Sequence, residues 1–227
     1  MSLRNGSSGP REEPGARPDS RKIRLVLDLR RGGVSDRRVL AAIERIPREI
    51  FVPMALRHQA YENIALPIGH QQTISQPVVV GKMTQALEVG DRHKVLEVGT
   101  GSGYQAAVLA CLCRRLYTVE RHRDLLREAE ARFTKLHMSN VTTRYGDGSR
   151  GWPEQAPFDR IMVTAAAAEV PQALIDQLAI GGIMVAPVSG TDGSQRLYRL
   201  RRTEEGIVTD ELDQVRFVPL VSEQDVN

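Results

Sequence analysis

The sequence predicts an α/β fold: a doubly wound, mostly parallel sheet with an antiparallel C-terminal edge and an N-terminal helical extension. Three observations carry this. From Lys94 onward, short apolar runs alternate with amphipathic stretches at helical spacing. The first of these runs, Val95–Val98, passes directly into the glycine-rich turn Gly99-Thr100-Gly101-Ser102-Gly103. Beyond Gly193 the helical periodicity stops and strand-like segments follow one another.

Residues 1–20 hold ten Gly, Pro or Ser residues and almost nothing apolar, which predicts a disordered tail ahead of one folded unit, 21–227. Within it, 21–93 is expected to form helices and an irregular loop, and 94–227 the α/β core with its C-terminal strands. A first helix starts near Arg21. A second covers Asp36 to Ile46, where Val39, Leu40, Ile43 and Ile46 share a face, Asp36 caps the start and Pro47 stops it. Pro53, Pro67 and Pro77 punctuate a stretch without clean periodicity, which reads as loops with short elements, and Val78–Glu88 is a further helix. In the core, Val95–Val98 is a buried strand, followed by the turn and an apolar helix through Cys113. Leu116–Glu120 is the next strand, and Arg123–His137 a helix with Leu125, Ala129, Phe133 and Leu136 along one face. Val141–Tyr145, Arg160–Thr164 and Ile183–Pro187 continue the strands, with a helix over Pro171–Leu178. Arg196–Arg201 and Gln214–Leu220, either side of a turn at Glu204-Glu205-Gly206, are expected to close the sheet as antiparallel strands.

With 41% hydrophobic and 26% charged residues, the 227-residue chain has the balance of a globular protein large enough to bury a core. No run approaches the ~18 consecutive apolar residues of a membrane span. Met1–Gly6 lacks the apolar stretch of a secretory signal, so no membrane partner and a cytoplasmic location are expected. Cys111 and Cys113 stand too close for an ordinary disulfide and lack Cys or His partners at metal-site spacing, so a reducing compartment and no metal are expected. The net charge of +3 is localised: residues 1–24 carry six basic and three acidic side chains, and the remainder sums to zero. No nucleic-acid partner is expected from such a body. The protein is expected to be a monomer.

The glycine turn is the strongest local signal. Glycines let backbone approach a ligand, and the following helix start offers unpaired N–H groups. The spacing is G-x-G-x-G rather than the G-x-G-x-x-G of dinucleotide sites, since position 104 is Tyr. Glu97, just before the turn, would repel a pyrophosphate and suit a cationic ligand. Glu120, closing the next strand, is placed to accept from a ribose diol. Together with Gly99, Gly101 and Gly103 they point to a nucleoside with a positively charged appendage, S-adenosyl-L-methionine, on a Rossmann-like class I methyltransferase sheet, and Thr100 and Arg121 beside them are expected to share in binding it. Asp147, in Tyr145-Gly146-Asp147-Gly148, can accept from an adenine amino group or simply shape a turn.

No Ser-His-Asp set, HExxH motif or Cys/His cluster is visible, and His58, His93, His122 and His137 read as surface or helix-end residues. The unusual stretch is Leu66–Pro77, dense in hydrogen-bonding side chains and bounded by prolines. In this stretch the sequence resembles the protein-L-isoaspartate (D-aspartate) O-methyltransferases, through L-P-I-G-H-x-Q-T-I-S-Q-P. Val95–Tyr104, Gly146–Gly148 with Gly151-Trp152, Ala156–Asp159 through Thr164–Ala166, and Phe217–Leu220 extend the likeness, as do Pro47–Pro53 upstream; it spans residues 23–221.

The resemblance implies methyl transfer from S-adenosylmethionine to the free α-carboxylate of isoaspartyl residues in damaged proteins and peptides. The methyl ester then collapses to a succinimide that hydrolyses in part to normal aspartate. It implies Ser75 as the active-site serine, with Gln72, Thr73 and Ile74 in the same loop over cofactor and acceptor. Glu97, Gly99, Gly101, Glu120, Asp147 and Gly148 match cofactor contacts, and Val218 to Val221 line the acceptor pocket together with Ile74. Two positions depart from the pattern: Gln71 stands where glycine is usual, and Val78 where bacterial members commonly have an aromatic.

The chemistry agrees with the residues present. An α-carboxylate with a pKa of ~3.3–3.7 is ionised at neutral pH and can attack a sulfonium methyl without a general base. The enzyme's part is then in-line positioning and exclusion of water, with Ser75 orienting the carboxylate. Two alternatives remain. An enzyme acting on the amino group of a nucleic-acid base would place Asx-Pro-Pro-aromatic where Thr164–Ala168 stands. A non-catalytic module could also keep the fold, although Ser75 and Glu120 are intact.

Overall fold

A computed structural model describes residues 20–221, so the tail expected over 1–20 lies, apart from Ser20, outside the described residues. Helix α1 (Ser20–Arg31) buries Leu25 and Leu29. Helix α2 (Arg37–Arg45) is capped by Asp36, whose carboxylate accepts from the amides of Arg38 (2.7 Å) and Val39 (3.3 Å). Short 3-10 turns over Arg48–Phe51 and Met54–Gln59 lead into strands β1 (Leu66–Gly69) and β2 (Gln72–Ile74). Helix α3 (Pro77–Ala86) begins on Pro77, whose missing N–H costs nothing in a first turn. There follow β3 (Lys94–Val98), α4 (Tyr104–Ala110), β4 (Arg115–Glu120), α5 (Arg123–Lys135) and β5 (Val141–Tyr145). The chain ends with β6 (Phe158–Val163), α6 (Gln172–Asp176), β7 (Leu178–Ser189), β8 (Gln195–Thr203) and β9 (Gly206–Gln214).

Strands β3 to β9 form one sheet in the order β5-β4-β3-β6-β7-β8-β9. The first five neighbours pair in parallel, and β8 and β9 add antiparallel. Alternation along β3 feeds both faces: Val95 joins one apolar cluster, Leu96 and Val98 the other. The first cluster unites Leu25, Leu29 and Ile43 of the N-terminal helices with Leu116 and Val185 of the sheet. Strand order reverses between β3 and β6, so the loops after them diverge and leave a crevice at the carboxyl ends of the strands.

Three expectations need correction. The helix after the glycine turn stops at Ala110 rather than Cys113, because the Asn140 side-chain amide donates to the carbonyls of Ala110 (2.9 Å) and Cys113 (3.2 Å) and the Arg114 amide donates to His93 (3.1 Å), turning the chain into β4. The strand expected over Gln214–Leu220 lies earlier, over Gly206–Gln214, starting at the tight turn itself. That edge strand is largely exposed and acidic, so its pattern is weak. Val215, Phe217 and Leu220 look strand-like because they pack on the core. Residues 215–221 instead cross the carboxyl end of the sheet, where the Ala166 amide donates to Val218 (2.8 Å) and the Leu220 amide to Ala166 (2.7 Å). The helix expected through Leu178 ends at Asp176, and β7 begins at Leu178, with an irregular register against β6 and Gly181 at φ 76° before Ile183. The short elements expected among the loops before Pro77 include β1 and β2, which pair antiparallel as a hairpin.

Candidate cofactor and acceptor cleft

The crevice is a cleft, partly open to solvent, whose walls come from the β1–β2 hairpin, the glycine turn after β3 and residues 217–221. One wall is the β1–β2 hairpin. His70 (φ 51°) and Gln71 (φ 57°) are both left-handed at its tip, the backbone of a type I′ turn. The His70 ring stacks on His122 with centroids 5.0 Å apart, and its Nε2 lies 3.7 Å from Asp124, so the tip reaches the far side of the cleft. Gln72, Thr73, Ile74 and Ser75 line the cavity. Ser75 is held from behind: the fully buried Arg48 donates from Nη2 to its carbonyl (2.8 Å) and from Nε to Ala60 (2.9 Å). The guanidinium sits 4.6 Å from the centre of the Tyr104 ring, and burial lowers its pKa from the ordinary arginine value. No protein group among the described residues takes the Ser75 hydroxyl.

The opposite wall is the glycine turn. Gly99, Gly101 and Gly103 all have left-handed φ (94°, 52° and 88°). A Cβ at Gly99 would lie 2.4 Å from Thr164 Oγ1, and one at Gly103 2.9 Å from the Phe133 ring, so these two let the turn pack on its neighbours. At Gly101 the nearest atom would be Ile68 Cδ1 at 3.5 Å; this glycine borders the cleft. Glu120 accepts from the Gly101 amide through Oε2 and from the His122 amide through Oε1, both at 2.8 Å. Each carboxylate oxygen keeps a further lone pair for a ligand.

The structure brings Gln72, Thr73, Ile74, Ser75, Gly99, Thr100, Gly101, Glu120, Arg121, Gly148, Val218 and Val221 to this one cleft. Two expected residues lie elsewhere. Glu97 is off the wall, fully buried beneath the turn, where burial raises its carboxyl to about 8. Its Oε2 lies 2.6 Å from Thr118 Oγ1, which lies 2.6 Å from Thr100 Oγ1. Asp147 lines an adjoining smaller cleft with Arg121, Tyr145, Gly146 and Val221, and its carboxylate accepts from the Ser149 amide (2.9 Å) and hydroxyl (2.7 Å). Arg121 closes the boundary between the two, donating to the Val221 carbonyl at 2.6 Å.

Sequence reasoning missed Ser102, Tyr104, Gln105, His122 and Thr164 on the wall and Arg48 behind it. Tyr104 and Gln105 open the helix after the glycine turn, so the motif itself could have supplied them. Arg48 lies in the family-like stretch Pro47–Pro53, but by its chemistry alone an arginine beside a proline reads as surface. Among the described residues no group of three or more His, Cys, Asp and Glu could hold a metal ion.

A doubly wound sheet that reverses order beside a strand–glycine turn–helix, with an acid closing the adjacent strand, is the class I methyltransferase arrangement for a nucleoside cofactor. The chain belongs to the family described as Protein-L-isoaspartate(D-aspartate) O-methyltransferase, whose model matches residues 20–225. It is 66% identical over 204 residues to a protein-L-isoaspartate O-methyltransferase of Rhodospirillum rubrum, covering 89% of this chain and 93% of that one. The corresponding protein of Paramagnetospirillum magneticum is 65% identical, with 89% and 95% covered. Among solved structures, one protein-L-isoaspartate O-methyltransferase superposes with a TM-score of 0.77 at 28% identity, over 87% of this chain and 65% of the other. A Plasmodium falciparum structure carrying the same family name, in complex with S-adenosyl-L-homocysteine, gives 0.76 at 25% identity, over 88% and 98%.

Proposed function

We propose that the protein transfers a methyl group from S-adenosyl-L-methionine to the free α-carboxylate of L-isoaspartyl residues in damaged proteins and peptides. The observation that carries this is the meeting of the Ser75 hairpin and the Gly99–Gly101 turn across one cleft, in a chain of this family. The cavity suits the cofactor: Gly101 leaves room at the wall, and Glu120 retains acceptor capacity for a ribose diol. The cofactor supplies an electrophilic methyl group on a cationic sulfur.

The protein's own residues do the rest. The acceptor carboxylate is ionised at neutral pH, so no side chain has to remove a proton. Ser75 donates a hydrogen bond that aims the carboxylate, and Arg48 fixes the Ser75 backbone from behind. The hairpin, stacked through His70 on His122, and residues 217–221 wall the cleft and limit the access of water to it. Arg121, Asp147 and Val221 border the adjoining cleft, where the adenine edge is expected to lie. The reading includes a reducing cytoplasmic setting, which suits the two free thiols Cys111 and Cys113; burial raises the first and pushes the second up to about 12. Transfer of label from S-adenosylmethionine to an isoaspartyl peptide, and not to its normal aspartyl twin, tests the proposal. Equal labelling of both, or of neither, would refute it.

A further inference from the structure

Glu97 has no task in the reading above. The parallel register sets it opposite Thr118 on β4 and Met162 on β6, neither of which carries a charge, and it is fully enclosed. Its Oε2 opens a chain of hydroxyls, Thr118 and then Thr100, in steps of 2.6 Å each, and Thr100 lines the cleft. Its other oxygen, Oε1, has no hydrogen-bond partner among the described residues. A neutral acid tolerates a bare carbonyl oxygen in an apolar layer, whereas a carboxylate does not. The charged group that acts on it is Glu120, another anion, which also favours the protonated form.

We propose that Glu97 senses the charge on the cofactor's sulfur, neutral while the cleft is empty or holds the thioether product and ionised when the sulfonium is in place. The inference rests on the S-adenosylmethionine reading and makes Glu97 a specificity residue that favours the methylated cofactor over its product. The hydroxyl chain supplies the route. With Glu97 protonated, its O–H donates to Thr118 and Thr118 donates to Thr100. On ionisation the Glu97 O–H bond breaks, each hydroxyl passes its proton one place onward, and one proton reaches solvent. The donors then point back towards the carboxylate. When methyl transfer leaves the sulfur uncharged, the proton returns, and the buried anion no longer holds the product. A cation nearby offsets the cost of a buried carboxylate, and burial keeps that cost high enough to matter up to pH about 8.

The test is calorimetric binding of S-adenosylmethionine and S-adenosylhomocysteine to the whole protein, in two buffers of different ionisation enthalpy, with infrared difference spectra of each complex. Wild type should release up to one proton more than Glu97→Gln on binding S-adenosylmethionine, and the same number on binding S-adenosylhomocysteine. The cofactor's own amino group titrates in both proteins and cancels. Below pH about 8, wild-type affinity for S-adenosylmethionine should rise by up to about tenfold per pH unit relative to Glu97→Gln, and level off above. The carbonyl stretch of a protonated acid should be present with the product and lost with S-adenosylmethionine. Equal proton release in the two proteins, or a stretch that persists with S-adenosylmethionine, overturns the proposal. Should Glu97→Gln fail to fold, the wild-type infrared spectra decide alone. A protein that binds neither nucleoside refutes the cofactor reading and this inference with it. One that binds both with the expected proton release, yet methylates no isoaspartyl peptide, refutes only the acceptor.

Discussion

Ser75 is constrained on one side and free on the other: Arg48 fixes its carbonyl, and its hydroxyl is left to the cleft. If it only aims the carboxylate, Ser75→Ala loses one hydrogen bond to a charged group, ~1.5–3 kcal/mol. That is a fall of about ten- to a hundredfold in kcat/KM with cofactor affinity little changed; wild-type kinetics on an isoaspartyl peptide would remove Ser75 from the site. Glu120 does two jobs, ordering the Gly101 and His122 amides and facing the cavity. Glu120→Ala should therefore weaken S-adenosylmethionine binding by at least ~1.5–3 kcal/mol in a titration, and unchanged affinity would displace the ribose from this carboxylate. Glu97 affects stability as well as binding. The folded protein keeps its proton up to pH about 8, whereas the unfolded chain releases it near 4.5, so the folded state binds more protons in between. Stability should fall as pH rises across that window, and Glu97→Gln should flatten the fall when melting temperatures are compared.

Among the elements, the hairpin carries the most local tension. Gln71 holds φ 57° where a glycine would be relaxed, and a left-handed L-residue costs ~1–2 kcal/mol. Part of that returns through the greater freedom of an unfolded glycine, so Gln71→Gly should stabilise by about 0.5–1 kcal/mol in denaturant unfolding. A loss of stability would show that the Gln71 side chain holds the turn by other means. The second departure from the family pattern, Val78, has a packing explanation: a Cβ at Gly32 would come 2.6 Å from Val78 Cγ1, so α1 lies against α3 with no space for a ring at position 78. Hairpin and α3 are legible only in part from sequence. Pro77 announces the helix, but the pairing of Leu66 with Ile74 depends on a turn formed by two residues with weak turn preference.

On the scale of the whole molecule, one apolar cluster joins the N-terminal helices to the sheet. The segment 21–93 should therefore not melt by itself. Trp152, edge-on to Tyr117 at 5.4 Å on the opposite face, reports the sheet, and far-UV circular dichroism reports the helices. Coincident thermal transitions by the two probes are expected. Early loss of helical signal at constant fluorescence would split the chain into two units.

The chain's local chemistry alone determined the alternation of strands and helices from Lys94 to Val163, the helix cap at Asp36, the left-handed glycine turn and the acid closing β4. Each of these depends on neighbours within a few residues, through periodicity, capping or φ. Tertiary structure decided what those groups face. Glu97 and Glu120 both stand at strand ends, yet packing buries Glu97 against Thr118 and presents Glu120 to the cleft. Arg48 becomes an interior prop for Ser75, and residues 217–221 become a wall of the cleft instead of a strand. Burial, and with it the charge state of an acid or the task of an arginine, is set by segments distant in sequence that only the folded chain brings together.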